Sequence, residues 1–205
     1  MSGVECSRTR EIVMDRPLQR SELVVTCDAA GIPLDVVDKL EAHRERLRHL
    51  AVSVFLFTAH ARLLLQQRAA LKYHSGDLWS NSACTHPGPN ETPADAASRA
   101  VRAELGATVR LSPAFVTQYD LAVGSAMHEK EYNQVFVGHC ELEACHFNVE
   151  EVQALRTLAL SDIRGDAIAN PGLYSPWLKF MLEAHFEDLC NAMRLVEERN
   201  AGKRT

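Results

Sequence analysis

Apolar residues along this chain come in short runs broken by turn chemistry, with one clear helical stripe. Leu23–Thr26 is a β-branched run, Cys27–Pro33 supplies Asp, Gly and Pro, and Leu34–Val37 follows; together they predict a hairpin. Asp38 heads a helical spacing that carries Leu40 and Leu47, and Ala51–Thr58 is a dense run of Val, Leu and Phe that predicts a central strand. Arg62–Arg68 alternates weakly and is expected to pair with that strand. From Leu71 to Glu91 the pattern dissolves into Gly, Ser, Asn, His and Pro, a loop longer than compact domains usually carry and therefore a place to look for function.

Thr92 then caps a helix with Pro93 at its first position. Ala96, Ala97, Ala100, Val101 and Leu105 form its apolar stripe, and Gly106 ends it. Strands at Ala114–Val123 and Tyr132–Cys140 are expected around a polar turn at Gly124–Lys130. Helical segments follow at Val149–Leu155 and Leu160–Ala169, with a last helix from Ser175-Pro176 to Arg199. Strands divided by helices give an α/β (α+β) chain, a mixed sheet covered by helices on both faces. One folded domain over residues 21–199 is expected, after a polar arm at 1–20 and before a frayed end at 200–205.

The 205 residues are 46% hydrophobic and 24% charged, which excludes disordered, collagen-like and coiled-coil chains. Lys plus Arg number 22 against 27 Asp plus Glu, a net charge of −5 that argues against nucleic acid as a partner. No apolar run approaches the roughly 18 residues of a membrane helix. The first twenty residues lack the apolar core of a secretory signal, so a cytoplasmic protein is expected, monomeric or weakly dimeric. Six cysteines without a paired spacing are expected to be reduced.

Three groups of residues could carry chemistry. His43, His49 and His86 with Glu129 and Glu131 offer imidazoles and carboxylates to a divalent metal, the two glutamates leaving one face of a strand. Among nine histidines, however, spacing alone is more often chance. Cys84 lies in Trp79-Ser80-Asn81-Ser82-Ala83-Cys84-Thr85-His86-Pro87, where a reactive thiol and a structural one are equally plausible. Lys39, Arg68 and Lys72, with Glu104 as a magnesium ligand, could clamp a phosphate, although by spacing they read more simply as solvated side chains.

In order, Lys39, His43, His49, Arg68, Lys72, Asn81, Cys84, His86-Pro87, Glu104-Leu105-Gly106, Tyr119, Glu129, Glu131 and Ser175-Pro176-Trp177 resemble the type I isopentenyl-diphosphate isomerases of the Nudix superfamily, over about Leu23 to Leu189. The resemblance implies a Nudix-type α/β/α sandwich that converts isopentenyl diphosphate into dimethylallyl diphosphate through a tertiary carbocation. It implies that His43, His49, His86, Glu129 and Glu131 hold one divalent metal (Mn2+, Mg2+ or Zn2+) and that Glu104 holds a Mg2+ bridging to the diphosphate. Lys39, Arg68 and Lys72 match diphosphate-binding positions. Cys84 and Glu131 match the proton-transfer pair, Tyr119 and Trp177 the active-site aromatics.

Two other activities compete. The diphosphate-hydrolase box of Nudix enzymes wants three glutamates where Arg99-Ala100-Val101-Arg102-Ala103-Glu104 keeps one, which disfavours hydrolysis. Thr85, Asp77, Val52 and Ala100 depart from the isomerase pattern, leaving room for an enzyme of specialised terpenoid metabolism that protonates a longer prenyl diphosphate. A module that only binds a diphosphate is disfavoured because Cys84 and Glu131 are both present.

Overall fold

A computed structural model describes residues 22–124 and 126–201. The arm expected over residues 1–20 lies outside them, as do residues 202–205 of the expected C-terminal fray. The expected hairpin is present as β1 (Leu23–Cys27) and β2 (Pro33–Asp38), antiparallel with Val24 opposite Val37. Helix α1 (Lys39–Arg44) follows, capped by the Asp38 carboxylate on the amides of Leu40 and Glu41. It stops short of the expected Leu47 because the chain turns into the left-handed region at Arg46 (φ 54°).

Strand β3 (His49–Phe57) is the axis of the molecule. Its residues alternate between two cores, Phe55 and Phe57 on one side and Val52, Val54 and Leu56 on the other, so both faces are dry and the sequence reads as an unbroken apolar run. Strand β4 (Arg62–Arg68) was expected to pair along β3, but meets it only at the turn, Phe57 opposite Leu63. Beyond that point the long loop wedges between them. It carries two short strands, β5 (Trp79–Ser80) on β4 and β6 (Ala83–Thr85) on β3. The buried Ser82 hydroxyl donates to the Leu64 carbonyl and accepts from the Leu56 amide, bridging strands that no longer touch.

Helix α2 (Pro93–Leu105) has the expected ends: the Thr92 side chain accepts from the Asp95 amide, and Gly106 closes it at φ +63°. A β-carbon on Gly106 would sit 2.3 Å from the His146 carbonyl oxygen, so no other residue fits. Strands β7 (Leu111–Gly124) and β8 (Met127–His139) are longer than expected and form an antiparallel pair, while β8 also runs parallel to β3 with Glu131 opposite His49.

Two expectations fail after β8. Val149–Leu155 was expected to be helical, but β9 (Val152–Ala159) pairs antiparallel with the free edge of β4 along its whole length. Unmet backbone hydrogen bonds on that edge outweigh the local helix preference, which is worth only tenths of a kcal/mol per residue. Helix α3 (Leu160–Ala169) is as expected, but the last helix is two, α4 (Pro176–Ala184) and α5 (Phe186–Ala201), broken at His185. There the ring stacks on Phe115 and hydrogen-bonds Thr117, which fixes the corner.

The layers are α2 on one face of the mixed sheet and α3, α4 and α5 on the other. Ala96, Ala97, Ala100, Val101 and Leu105 pack on Val52, Val54 and Phe136. Ile163, Trp177, Leu178, Met181, Leu189 and Val196 pack on Phe55, Val135 and Val137. This is the expected α/β/α sandwich. Among the described residues no helix is long and apolar enough to cross a membrane.

Candidate active site

The open end of the sandwich holds a cavity of about 180 Å³ into which α1, the β4–β6 segment, α2, β7, β8 and α4 all contribute side chains. His74, His86, Glu129 and Glu131 line it, and the fully buried His43 and His49 pack behind His86. His43 comes from the last turn of α1, His49 from the first residue of β3, His86 from the residue after β6, and Glu129 from β8. The four offer ligand atoms that all lie within 4.8 Å of one another. The Nε2 atoms of His43, His49 and His86 stand 2.8, 3.5 and 3.7 Å from the same Glu129 oxygen, Oε2.

These residues suit a divalent cation. The His49 Nδ1–H donates to the Leu47 carbonyl at 2.8 Å, so its Nε2 is a bare lone pair, and that atom is buried without a hydrogen-bond partner. A buried acceptor of this kind is costly unless something positive meets it. Within the cluster burial works to lower the pKa of His86, but the Glu129 and Glu131 carboxylates beside it outweigh burial and hold the ring up at about 9. Burial pushes Glu129 up, and the surrounding histidines overcome it to hold the carboxylate well below its usual range. Three imidazoles and a carboxylate around one point are a transition-metal or magnesium donor set.

Glu131 is beside this group, not in it. Its Oε1 is 3.5 Å from His86, while Oε2 accepts from the Tyr119 hydroxyl at 2.5 Å and from the Asn133 amide at 2.7 Å. The β7–β8 register sets this contact by placing Tyr119 directly opposite Glu131. Cys84 is opposite Ser53 on the other edge of β3, so the thiol and the carboxylate reach the cavity from strands flanking one central strand. Burial, with Glu104 next, pushes the Cys84 thiol up to about 12.

Trp177 closes the cavity with its ring orientation fixed. The indole N–H donates to Ser80 Oγ at 2.8 Å and Asn81 Oδ1 at 3.0 Å, while the Asn81 amide donates to the Val54 and Ala83 carbonyls. The buried polar run Ser80-Asn81-Ser82 thus sets both the indole and the strand bearing Cys84.

The three expected diphosphate cations all reach the cavity, each with a partner. Lys39 pairs with Glu22 at 2.6 Å, and Lys72 pairs with Glu151. Arg68 is buried 5.1 Å from the Trp177 ring and donates to the carbonyls of His74 and Ser75. Glu104, near the end of α2, accepts from the Gln66 amide at 2.5 Å, and burial pushes it up to about 7. Of the departures, Val52, Thr85 and Ala100 line the cavity. Asp77 does not; it holds a φ of +65°, a backbone conformation that favours glycine, and its carboxylate accepts from Gln153.

Sequence reasoning missed His74, whose Nε2 lies 3.0 Å from the second Glu129 oxygen, and Glu22 and Glu151, the partners of the lysines. His74 stands between Lys72 and Trp79 in the long loop, a position in functional territory but without periodicity.

A family model of the NUDIX domain matches residues 47–178. The "Isopentenyl-diphosphate Delta-isomerase 2" of Aromatoleum aromaticum is 39% identical over 160 residues, covering 78% of this chain and 84% of that protein. The chain belongs to the isopentenyl-diphosphate Delta-isomerase family, on a NUDIX domain. The "Isopentenyl-diphosphate Delta-isomerase" of Cereibacter sphaeroides is 38% identical over 163 residues, covering 78% of this chain and 92% of that protein. Among solved structures, DR0079 from Deinococcus radiodurans superposes with a TM-score of 0.67 at 15% identity, over 80% of this chain and 98% of that one, which speaks to the fold alone. The His and Glu cluster of this isomerase-family chain is compatible with a divalent metal.

Proposed function

We propose that this protein converts isopentenyl diphosphate into dimethylallyl diphosphate by moving one proton on and another off the allylic carbons. The observation that carries the reading is the meeting, in one cavity, of a thiol, a carboxylate and a fixed indole without a general hydrolytic box. Cys84, pushed up to about 12, is a protonated thiol at neutral pH. It gives its proton to the terminal alkene carbon, leaving a tertiary cation. Glu131, an acceptor held by Tyr119 and Asn133, takes a proton from the neighbouring methylene, and solvent exchange resets both groups. The Trp177 face stabilises the cation by about 2 kcal/mol when dry and offers no nucleophile to trap it.

Lys39, Arg68 and Lys72 bind the diphosphate, which exchanges Glu22 and Glu151 for phosphate oxygens at the two lysines. His43, His49, His86 and Glu129, with Glu131 beside them, would hold Mn2+, Mg2+ or Zn2+, and Glu104 a Mg2+; when bound, these ions supply positive charge at the carboxylates and at the diphosphate. We place the protein in the cytoplasm as a monomer or weak homodimer acting on this small molecule.

Hydrolysis is disfavoured because Ala100 and Ala103, at two of the three glutamate positions of the hydrolase box, both line the cavity and bring no carboxylate to it. A longer prenyl diphosphate is the second reading, supported by Val52, Thr85 and Ala100 all facing that space. The test is incubation of purified protein with isopentenyl diphosphate and Mg2+, following the acid-labile allylic product and free phosphate in parallel. Allylic product without phosphate supports isomerisation; phosphate without allylic product overturns it.

A further inference from the structure

His74 is the fourth imidazole around Glu129, and it takes the oxygen the others leave. His43, His49 and His86 face Oε2, whereas His74 Nε2 lies 3.0 Å from Oε1. A carboxylate only accepts, so the His74 Nε2 carries the hydrogen, and its Nδ1 accepts from the Ser75 hydroxyl at 3.2 Å. We propose that His74 is a positioning residue that ties Glu129 by Oε1, keeps Oε2 turned to the three imidazoles, and thereby sets how tightly the site holds a divalent metal. The inference rests on the reading of that cluster as a metal site.

The physical need is specific. The last torsion of a glutamate is broad and nearly two-fold, so an unheld carboxylate presents either oxygen at many angles. Metal–oxygen bonds of about 2.0–2.2 Å are far less tolerant, and groups that orient a ligand matter accordingly. His74 is suited to the task because it is buried and its backbone is clamped. Arg68 Nε donates to the Ser75 carbonyl at 3.2 Å and its NH2 group to the His74 carbonyl at 3.4 Å, while the Asp77 amide returns to the Arg68 carbonyl. Ser75 itself is at φ +51°, and a β-carbon on Gly76 would lie 2.5 Å from the Ala70 carbonyl oxygen, so the loop has little room to shift. The ring is flanked by Tyr73, 4.4 Å between centroids, and Trp177, 5.9 Å. The same loop carries Lys72, so the diphosphate clamp and the metal cluster share one rigid segment.

A histidine that merely filled space would be replaced by phenylalanine at no cost to the metal. The test uses full-length wild-type protein, His74→Phe and His74→Gln, stripped of metal and titrated with Zn2+ against a chromophoric chelator. Thermal melts of the stripped proteins check folding; should phenylalanine not be accommodated, His74→Ala, which only removes atoms, carries the same expectation. The phenylalanine variant should bind Zn2+ about 10- to 100-fold more weakly, as is typical when the group orienting a metal ligand is lost. Glutamine, which keeps an N–H at similar reach, should restore most of that loss. Equal affinity in wild type and His74→Phe, or a glutamine variant as weak as phenylalanine, overturns the positioning role while leaving the metal site standing. A wild-type protein that binds no Zn2+ overturns the metal reading and this inference with it.

Discussion

Replacing Glu104 by glutamine removes a carboxyl group that the folded protein keeps at about 7 against an ordinary 4.5. Burial drives the rise, and it outweighs the opposing pull of Gln66, Lys72 and Arg68. The protonated form is at home in the folded state, so its contribution is intact below pH 4.5 and is lost as pH climbs through 7. A difference of about 2.5 units at about 1.36 kcal/mol each makes the ionised side chain a burden of about 3 kcal/mol at pH 8. Glu104→Gln, which keeps the shape and an acceptor for Gln66, should therefore stabilise metal-free protein by up to that amount at pH 8 and by almost nothing near pH 4.5. For a chain of this size that corresponds to roughly 10 °C in melting temperature. Urea unfolding of chelator-treated wild type and variant across that pH range is the assay, and the variant should need far more Mg2+ to turn over. A variant no more stable at pH 8, or an advantage that does not shrink on acidification, refutes the claim that the fold strains this carboxylate to keep it for a cation.

Cys84→Ala should fold normally and lose at least about a thousandfold in turnover; retention of more than a tenth of the rate, a deficit of only ~1.4 kcal/mol, would show that the thiol is not an essential proton-transfer group. Cys84 should also alkylate slowly. Three units above an ordinary thiol value of 9.0 cut the thiolate about 1,000-fold, of which greater nucleophilicity returns about 30-fold, so iodoacetamide labelling at pH 8 followed by peptide mass spectrometry should be at least about 30-fold slower than for an exposed thiol. Rapid labelling would contradict the raised pKa. Trp177→Phe should lower kcat more than it raises KM, because the indole face serves a cation absent from the ground state; a pure KM effect would count against that role.

Where one rule governed a segment, the sequence was legible. Thr92, Pro93 and Gly106 mark both ends of α2, and the period-two burial of β8 puts Glu129 and Glu131 on one face as expected. Failures occur where a distant edge decides. Val152–Ala159 carries helix formers, but the open side of β4 claims it as a strand. The Ser80-Asn81-Ser82 run read as loop because it is polar, yet each residue is buried, spent on the carbonyls left when β3 and β4 part and on the Trp177 N–H. Of the five residues expected at the metal site, His43, His49, His86 and Glu129 gather around one point while Glu131 stands beside them, because α1 and β6 finish, and β3 and β8 begin, at the same end of the sheet. His74 was beyond local reasoning: only the fold of the Arg68–Asp77 loop turns it onto Glu129.

Proton NMR of the purified protein with isopentenyl diphosphate and Mg2+ in D2O, beside a geranyl diphosphate sample, tests the account most directly. It predicts dimethylallyl diphosphate with deuterium at the exchanged allylic positions, and no product from the longer substrate. An unchanged isopentenyl diphosphate sample, with new signals only in the geranyl tube, would contradict it and make Val52, Thr85 and Ala100 the determinants of a different prenyl substrate.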